Sequence, residues 1–141
     1  MSGISESRES RESRESRIVV IDDNQSFCEV IEMLFAHDCD VKIANSGSIG
    51  IGLVESFRPD VIFCDLMMPG IDGLEVARQL QRKPEFAKVP IIICTASKLS
   101  EKERTSLESE ANVFGVLPKP CPMERLHAAA VSAIKLAIET G

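Results

Sequence analysis

The chain has 141 residues, 44% of them hydrophobic and 27% charged, with a formal net charge of -6. That length suits one globular domain and is short for two. No apolar run approaches the roughly 20 residues that span a bilayer, and the first residues lack a secretory signal, so no membrane association or export is expected. No segment gathers the Lys/Arg stripe that would hold a phosphate backbone, which argues against direct nucleic-acid binding. The five cysteines, Cys28, Cys39, Cys64, Cys94 and Cys121, are odd in number and include no C-x-x-C pair. They read as reduced thiols in a cytoplasmic protein.

Residues 5–16 repeat S-R-E with no apolar side chain. At i,i+3 the repeat sets Arg beside Arg and Glu beside Glu, so a disordered tail over residues 1–16 is expected. Removing it takes away three Arg and four Glu and leaves a folded part that is still acidic, at -5.

From Arg17 onward, apolar runs alternate with segments of helical period. Ile18-Val19-Val20-Ile21 predicts a strand, and Phe27, Val30, Ile31, Leu34 and Phe35 mark one face of a helix. Residues 40–44 alternate as an edge strand does, and residues 46–57 predict a helix weakened by Gly50 and Gly52, at about 1 kcal/mol each. Val61-Ile62-Phe63-Cys64 is the third strand. After the turn-forming Pro69-Gly70, a helix over 73–83 turns Leu74, Ala77 and Leu80 inward. Residues 89–94 predict a fourth strand, 100–111 a polar helix with Leu107 and Ala111 inward, and 113–117 a fifth strand. Pro122 then opens the last helix. Continuous apolar runs in the first, third and fourth strands imply burial on both faces. Five βα units of this kind predict a flavodoxin-like, doubly wound (βα)5 fold with a parallel sheet in the order 2-1-3-4-5, its crevice at the carboxyl ends of strands one and three.

The residues at those ends are Asp22-Asp23, Asp65, Thr95 and Lys119. Three converging carboxylates against one lysine leave excess negative charge, which suits a hard cation, magnesium. With the cation bound, one carboxylate can attack a phosphoryl group while an ammonium neutralises its oxygens, giving an aspartyl phosphate. The hydroxyl of Thr95 can then follow the phosphate and report it to the surface.

The runs IVVIDDN and CDLMMPGIDGLEVARQL, the pair Thr95-Ala96 and Lys119-Pro120, in this order on successive strands, resemble the receiver domains of two-component response regulators over residues 17–141. The resemblance implies that Asp65 is the phosphoacceptor, that Asp23 binds Mg2+ directly and Asp22 mainly through water, and that the Met67 backbone carbonyl completes the metal shell. It makes Thr95 the switch hydroxyl and Lys119 the partner of Asp65 or its phosphate, with a cis bond before Pro120. It implies a phosphorylation-dependent switch, an autocatalytic phosphoacceptor rather than a turnover enzyme. The phosphate comes from a histidine kinase or a histidine phosphotransfer protein, and the output is a contact with a protein target that the sequence does not name. One position departs from the pattern: Val116 stands where receivers usually carry an aromatic residue, and Phe114, two residues earlier, is expected on the same strand face.

Two other functions compete. A pseudoreceiver scaffold that signals without phosphate is suggested by Val116 but opposed by the intact acidic set, threonine and lysine. A haloacid-dehalogenase-type phosphatase needs D-x-D-x-[TV], whereas Asp65 is followed by Leu66-Met67. A stand-alone receiver and a fragment of a hybrid kinase both fit the sequence. Cys64 and Cys94 read as small core residues and Cys121 as the thiol with most scope for reactivity. GSIGIG over 47–52 lacks the order of a dinucleotide fingerprint. His37 and His127 have no metal-ligand spacing.

Overall fold

The computed structural model describes residues 6–140. The expectations for residues 1–5 and for Gly141 lie outside the described residues. Eleven elements follow in order: α1 (Arg8–Ser13), β1 (Ser16–Ile21), α2 (Gln25–Leu34), β2 (Cys39–Ala44), α3 (Gly47–Phe57), β3 (Val61–Asp65), α4 (Gly73–Gln81), β4 (Ile91–Thr95), α5 (Glu101–Glu108), β5 (Val113–Pro118) and α6 (Met123–Thr140). The strands pair in parallel in the order β2-β1-β3-β4-β5. The doubly wound fold is therefore present, with the alternating β2 at an edge.

Period-two alternation splits the central strands between two cores. Val19, Ile21, Ile62, Cys64, Ile91 and Ile93 point toward α3, α4 and α5. Ile18, Val20, Val61, Phe63, Ile92 and Cys94 point the other way, toward α2 and α6. Every residue of β3 and β4 is buried, which explains their unbroken apolar runs.

The helices start on side-chain caps. Asn24, Ser46, Asp72 and Ser100 accept hydrogen bonds from the backbone N–H of Phe27, Ile49, Glu75 and Glu103, each cap contributing on the order of 1 kcal/mol. The expected weakness of α3 has a packing counterpart. A Cβ on Gly50 would lie 2.5 Å from the Ile21 side chain, and one on Gly47 would lie 2.5 Å from Ile71. The glycines let α3 approach the sheet, and burial of Ile51 and Val54, about 2 kcal/mol each, offsets their cost.

Three local expectations are corrected. First, the S-R-E segment forms helix α1 where disorder was expected, although it buries no residue. Its anchor is ionic: Arg14 makes a two-pronged contact with the buried Asp60 at 2.9 and 3.0 Å, and Arg11 stands 3.7 Å from the same carboxylate. Arg14 and Arg17 also share Glu6, and Arg8 pairs with Glu12 at i,i+4. Second, Ala111 is exposed, so Leu107 is the only buried residue of α5. Third, Phe114 does not share a face with Val116. The register jumps from Ile91↔Val113 to Ile92↔Gly115, so Phe114 is the extra residue of a bulge and is turned outward, while Val116 is buried.

Candidate functional site

The sheet reverses direction of winding at β1, and the residues that end β1, β3, β4 and β5 meet above that point. Asp22 follows β1 directly, and its N–H donates to the Ala44 carbonyl at the end of β2. Its carboxylate is buried and fully engaged, with Oδ1 accepting from the Asn24 N–H at 2.8 Å and Oδ2 from Lys119 Nζ at 2.6 Å. Asp65 is the last residue of β3 and is also buried. Asp23 is exposed at the mouth. One carboxylate oxygen from each of Asp22, Asp23 and Asp65 lies within 4.8 Å of the others.

Lys119 faces this cluster, 3.6 Å from Asp65 Oδ1. Its backbone N–H bonds to the Thr95 carbonyl at 2.9 Å, the Lys119-Pro120 bond is cis, and Nζ stands 4.6 Å from the centroid of the Phe27 ring. The ammonium is thus held by two carboxylates and an aromatic face. Burial alone would lower its pKa, but the hydrogen bond to Asp22 and the charges of Asp22 and Asp65 outweigh that and raise it. Asp65 moves upward too, because burial and the Asp22 charge disfavour ionisation more than Lys119 and the Met67 backbone N–H favour it. The hydroxyl of Thr95 is buried and accepts from the Ser97 N–H at 3.1 Å. Met67 exposes its side chain and keeps its backbone beside Asp65.

Of the six positions singled out in the sequence, Asp22, Asp23, Asp65 and Lys119 come together through their side chains, Met67 adjoins Asp65 through its backbone N–H, and Thr95 is tied to Lys119 through its carbonyl. Three further residues shape the site. Asn24 both caps α2 and orients Asp22, a role signalled by its place just after the acidic pair. Gly73 opens α4 so close to the acceptor loop that a Cβ would sit 2.5 Å from the Asp65 carbonyl oxygen. Phe27, one turn into α2, was legible only as a core-face residue. Cys64 and Cys94 are buried core residues, as expected. The Cys121 thiol is pushed up by burial, with only Arg125 opposing, so its surroundings give it no activation.

An all-parallel sheet in the order 2-1-3-4-5, with an acidic triad that could hold a metal ion, a threonine and a lysine at the ends of its strands, defines a flavodoxin-like domain. More particularly, the chain belongs to the response regulator receiver domain family, whose model matches residues 18–131. It is 35% identical over 113 residues to the response regulator MprA of Mycolicibacterium vanbaalenii, covering 79% of this chain and 47% of that protein. It is 34% identical over 113 residues to MprA of Mycobacterium tuberculosis, with the same coverage. The chain thus spans about half the length of these relatives. Among solved structures it is similar to the Vibrio cholerae chemotaxis protein CheY4, with a TM-score of 0.78 and 21% identity over 85% of this chain and 99% of that one, a likeness of fold. A response regulator receiver domain protein from Clostridium thermocellum gives a TM-score of 0.74 and 26% identity, covering 86% of this chain and 95% of that one. Receiver domains of two-component response regulators are signalling modules, not turnover enzymes. Among the described residues no helix is long and apolar enough to cross a membrane.

Proposed function

We propose that this chain is a phosphorylation-dependent switch in which Asp65 accepts a phosphoryl group from a histidine kinase or a histidine phosphotransfer protein. The observation that carries this reading is the meeting of three carboxylates within 4.8 Å, with one lysine ammonium 3.6 Å from Asp65. An acidic set of hard oxygen donors with a single opposing ammonium fits a divalent cation such as Mg2+. Asp23 and Asp65, with the Met67 backbone carbonyl, would hold it directly. Asp22, whose two oxygens already serve Lys119 and Asn24, would act mainly through water. The bound cation supplies positive charge that offsets carboxylate repulsion and draws in the phosphoryl oxygens.

The chain's own groups account for the rest. The ionised Asp65 carboxylate attacks phosphorus; the bond to the donor's imidazole nitrogen breaks, and the imidazole leaves with that electron pair. Lys119 neutralises charge on the transferred group, at a position fixed by Asp22, the Phe27 ring and its own backbone bond to Thr95. Thr95 can exchange its bond with Ser97 for one to a phosphoryl oxygen, changing the surface that a downstream protein reads. No nucleic-acid contact is part of this reading, and the cytoplasm is its setting.

The test is intact mass after incubation with acetyl phosphate and Mg2+. The wild type gains one phosphoryl group and Asp65→Asn gains none. A wild type that stays unmodified would defeat the proposal.

A further inference from the structure

The side chain that usually relays phosphorylation through β5 is replaced by Val116, yet β5 keeps a different connection to the helix beside it. β5 is an edge strand, and an edge leaves carbonyls without a strand partner. The Val116 carbonyl accepts from Arg104 Nη1 on α5 at 3.3 Å. Little else holds α5. Its one buried residue is Leu107, which packs in the same core cluster as Val116. Its first turn is closed on itself by the Ser100–Glu103 capping box. At this same amino-terminal end, the loop entering α5 hangs from the end of β4 through the Ser97 N–H on Thr95 Oγ1.

We propose that Arg104 is the latch of the switch: its guanidinium on the Val116 carbonyl holds α5 in the resting position. Occupation of Asp65 then draws Thr95 away from Ser97, and the latch opens. A backbone carbonyl is available whatever side chain stands at position 116, so this relay needs no buried ring. The inference rests on the reading of Asp65 as acceptor.

If the latch favours the resting state, its loss must favour the occupied one by the same factor. The full chain is compared with Arg104→Met, which keeps the aliphatic stem and deletes the donors, and with Glu108→Gln, which removes the carboxylate charge 3.9 Å from Arg104 and leaves the latch. The probe is beryllofluoride with Mg2+, and the readouts are its affinity and amide exchange of α5. In the wild type, beryllofluoride speeds α5 exchange. Arg104→Met shows faster exchange without it and binds it about threefold more tightly, the effect of one hydrogen bond. Glu108→Gln behaves as wild type. The latch is overturned if Arg104→Met keeps wild-type α5 protection, or if Glu108→Gln matches Arg104→Met. It is also overturned if beryllofluoride occupies Asp65, by fluorine resonance, without changing α5. Absence of any beryllofluoride resonance on the protein overturns the acceptor reading itself, and the latch with it.

Discussion

Lys119 lies 2.6 Å from Asp22 but 3.6 Å from Asp65, so at rest the ammonium is tethered to a carboxylate beside the acceptor and not to the acceptor itself. That arrangement leaves Asp65 less neutralised than its partner and keeps Lys119 within reach of an incoming phosphoryl group. Replacing Asp22 by Asn removes the tether and one charge of the cation site together. Lys119 then closes on Asp65, and labelling by acetyl phosphate slows by about tenfold or more, the usual scale for losing a group that orients a metal site. A time course of intact mass across a Mg2+ titration measures this. An Asp22→Asn protein with the wild-type Mg2+ response would remove Asp22 from the site.

Ionisation of Asp65 works against the fold in the absence of a cation. Burial and the Asp22 charge raise its pKa above the ordinary 3.8. A carboxyl whose pKa is raised on folding prefers to be protonated in the native state. Its favourable contribution is complete below the ordinary value and is lost as pH rises through the raised one. With chelator present, Asp65→Asn therefore melts above wild type at neutral pH, and the gap closes as pH falls below 3.8. Mg2+ at about a hundred times its dissociation constant adds about 2.7 kcal/mol to the wild type and less to the variant. Equal melting temperatures at every pH would contradict the electrostatic picture.

Two glycines should respond in opposite directions to the same substitution. Gly73→Ala places a Cβ 2.5 Å from the Asp65 carbonyl oxygen and 3.0 Å from Leu66 Cα, both backbone atoms. The acceptor loop must move, at a cost of about 3 kcal/mol, and phosphorylation falls with it. Gly52→Ala, in the middle of α3 with nothing within 4 Å of the new Cβ, should stabilise by about 0.8 kcal/mol. Urea denaturation of the two variants checks both signs.

The fold was legible because β1, β3 and β4 are buried on both faces and their runs are apolar throughout, while the helices between them keep a 3.6-residue period. The site was legible because its side chains end successive strands, where chain order alone brings them together. What escaped were local details set by particular pairs distant in sequence. The bulge that turns Phe114 outward arises from the pairing of β5 with β4. Residues 5–16 taken alone show only the i,i+3 repulsion. Asp60, which anchors Arg14, is 46 positions away. The Phe27 ring meets Lys119 only because α2 and the loop after β5 share one side of the sheet.

The same distant pair yields a test of the amino-terminal helix. Asp60 accepts two bonds from Arg14 and one from the Arg17 N–H, and it is buried. Asp60→Ala leaves those donors facing an empty place, at a cost of about 2–3 kcal/mol, and frees α1, which has no buried residue of its own to hold it. Glu6 adds a pH dependence of defined sign. Its hydrogen bond to Arg14 holds its pKa below the ordinary 4.5 against a smaller opposing effect of burial. Its contribution is therefore present above the ordinary value and is lost as pH falls through the depressed one. Protection of the α1 amides, taken relative to their intrinsic exchange rate at each pH, should fall in Asp60→Ala at neutral pH and in the wild type on acidification, whereas that of β3 holds until the whole domain unfolds. Exchange of α1 that stays at its wild-type rate in Asp60→Ala would show that the ion pairs do not anchor the helix.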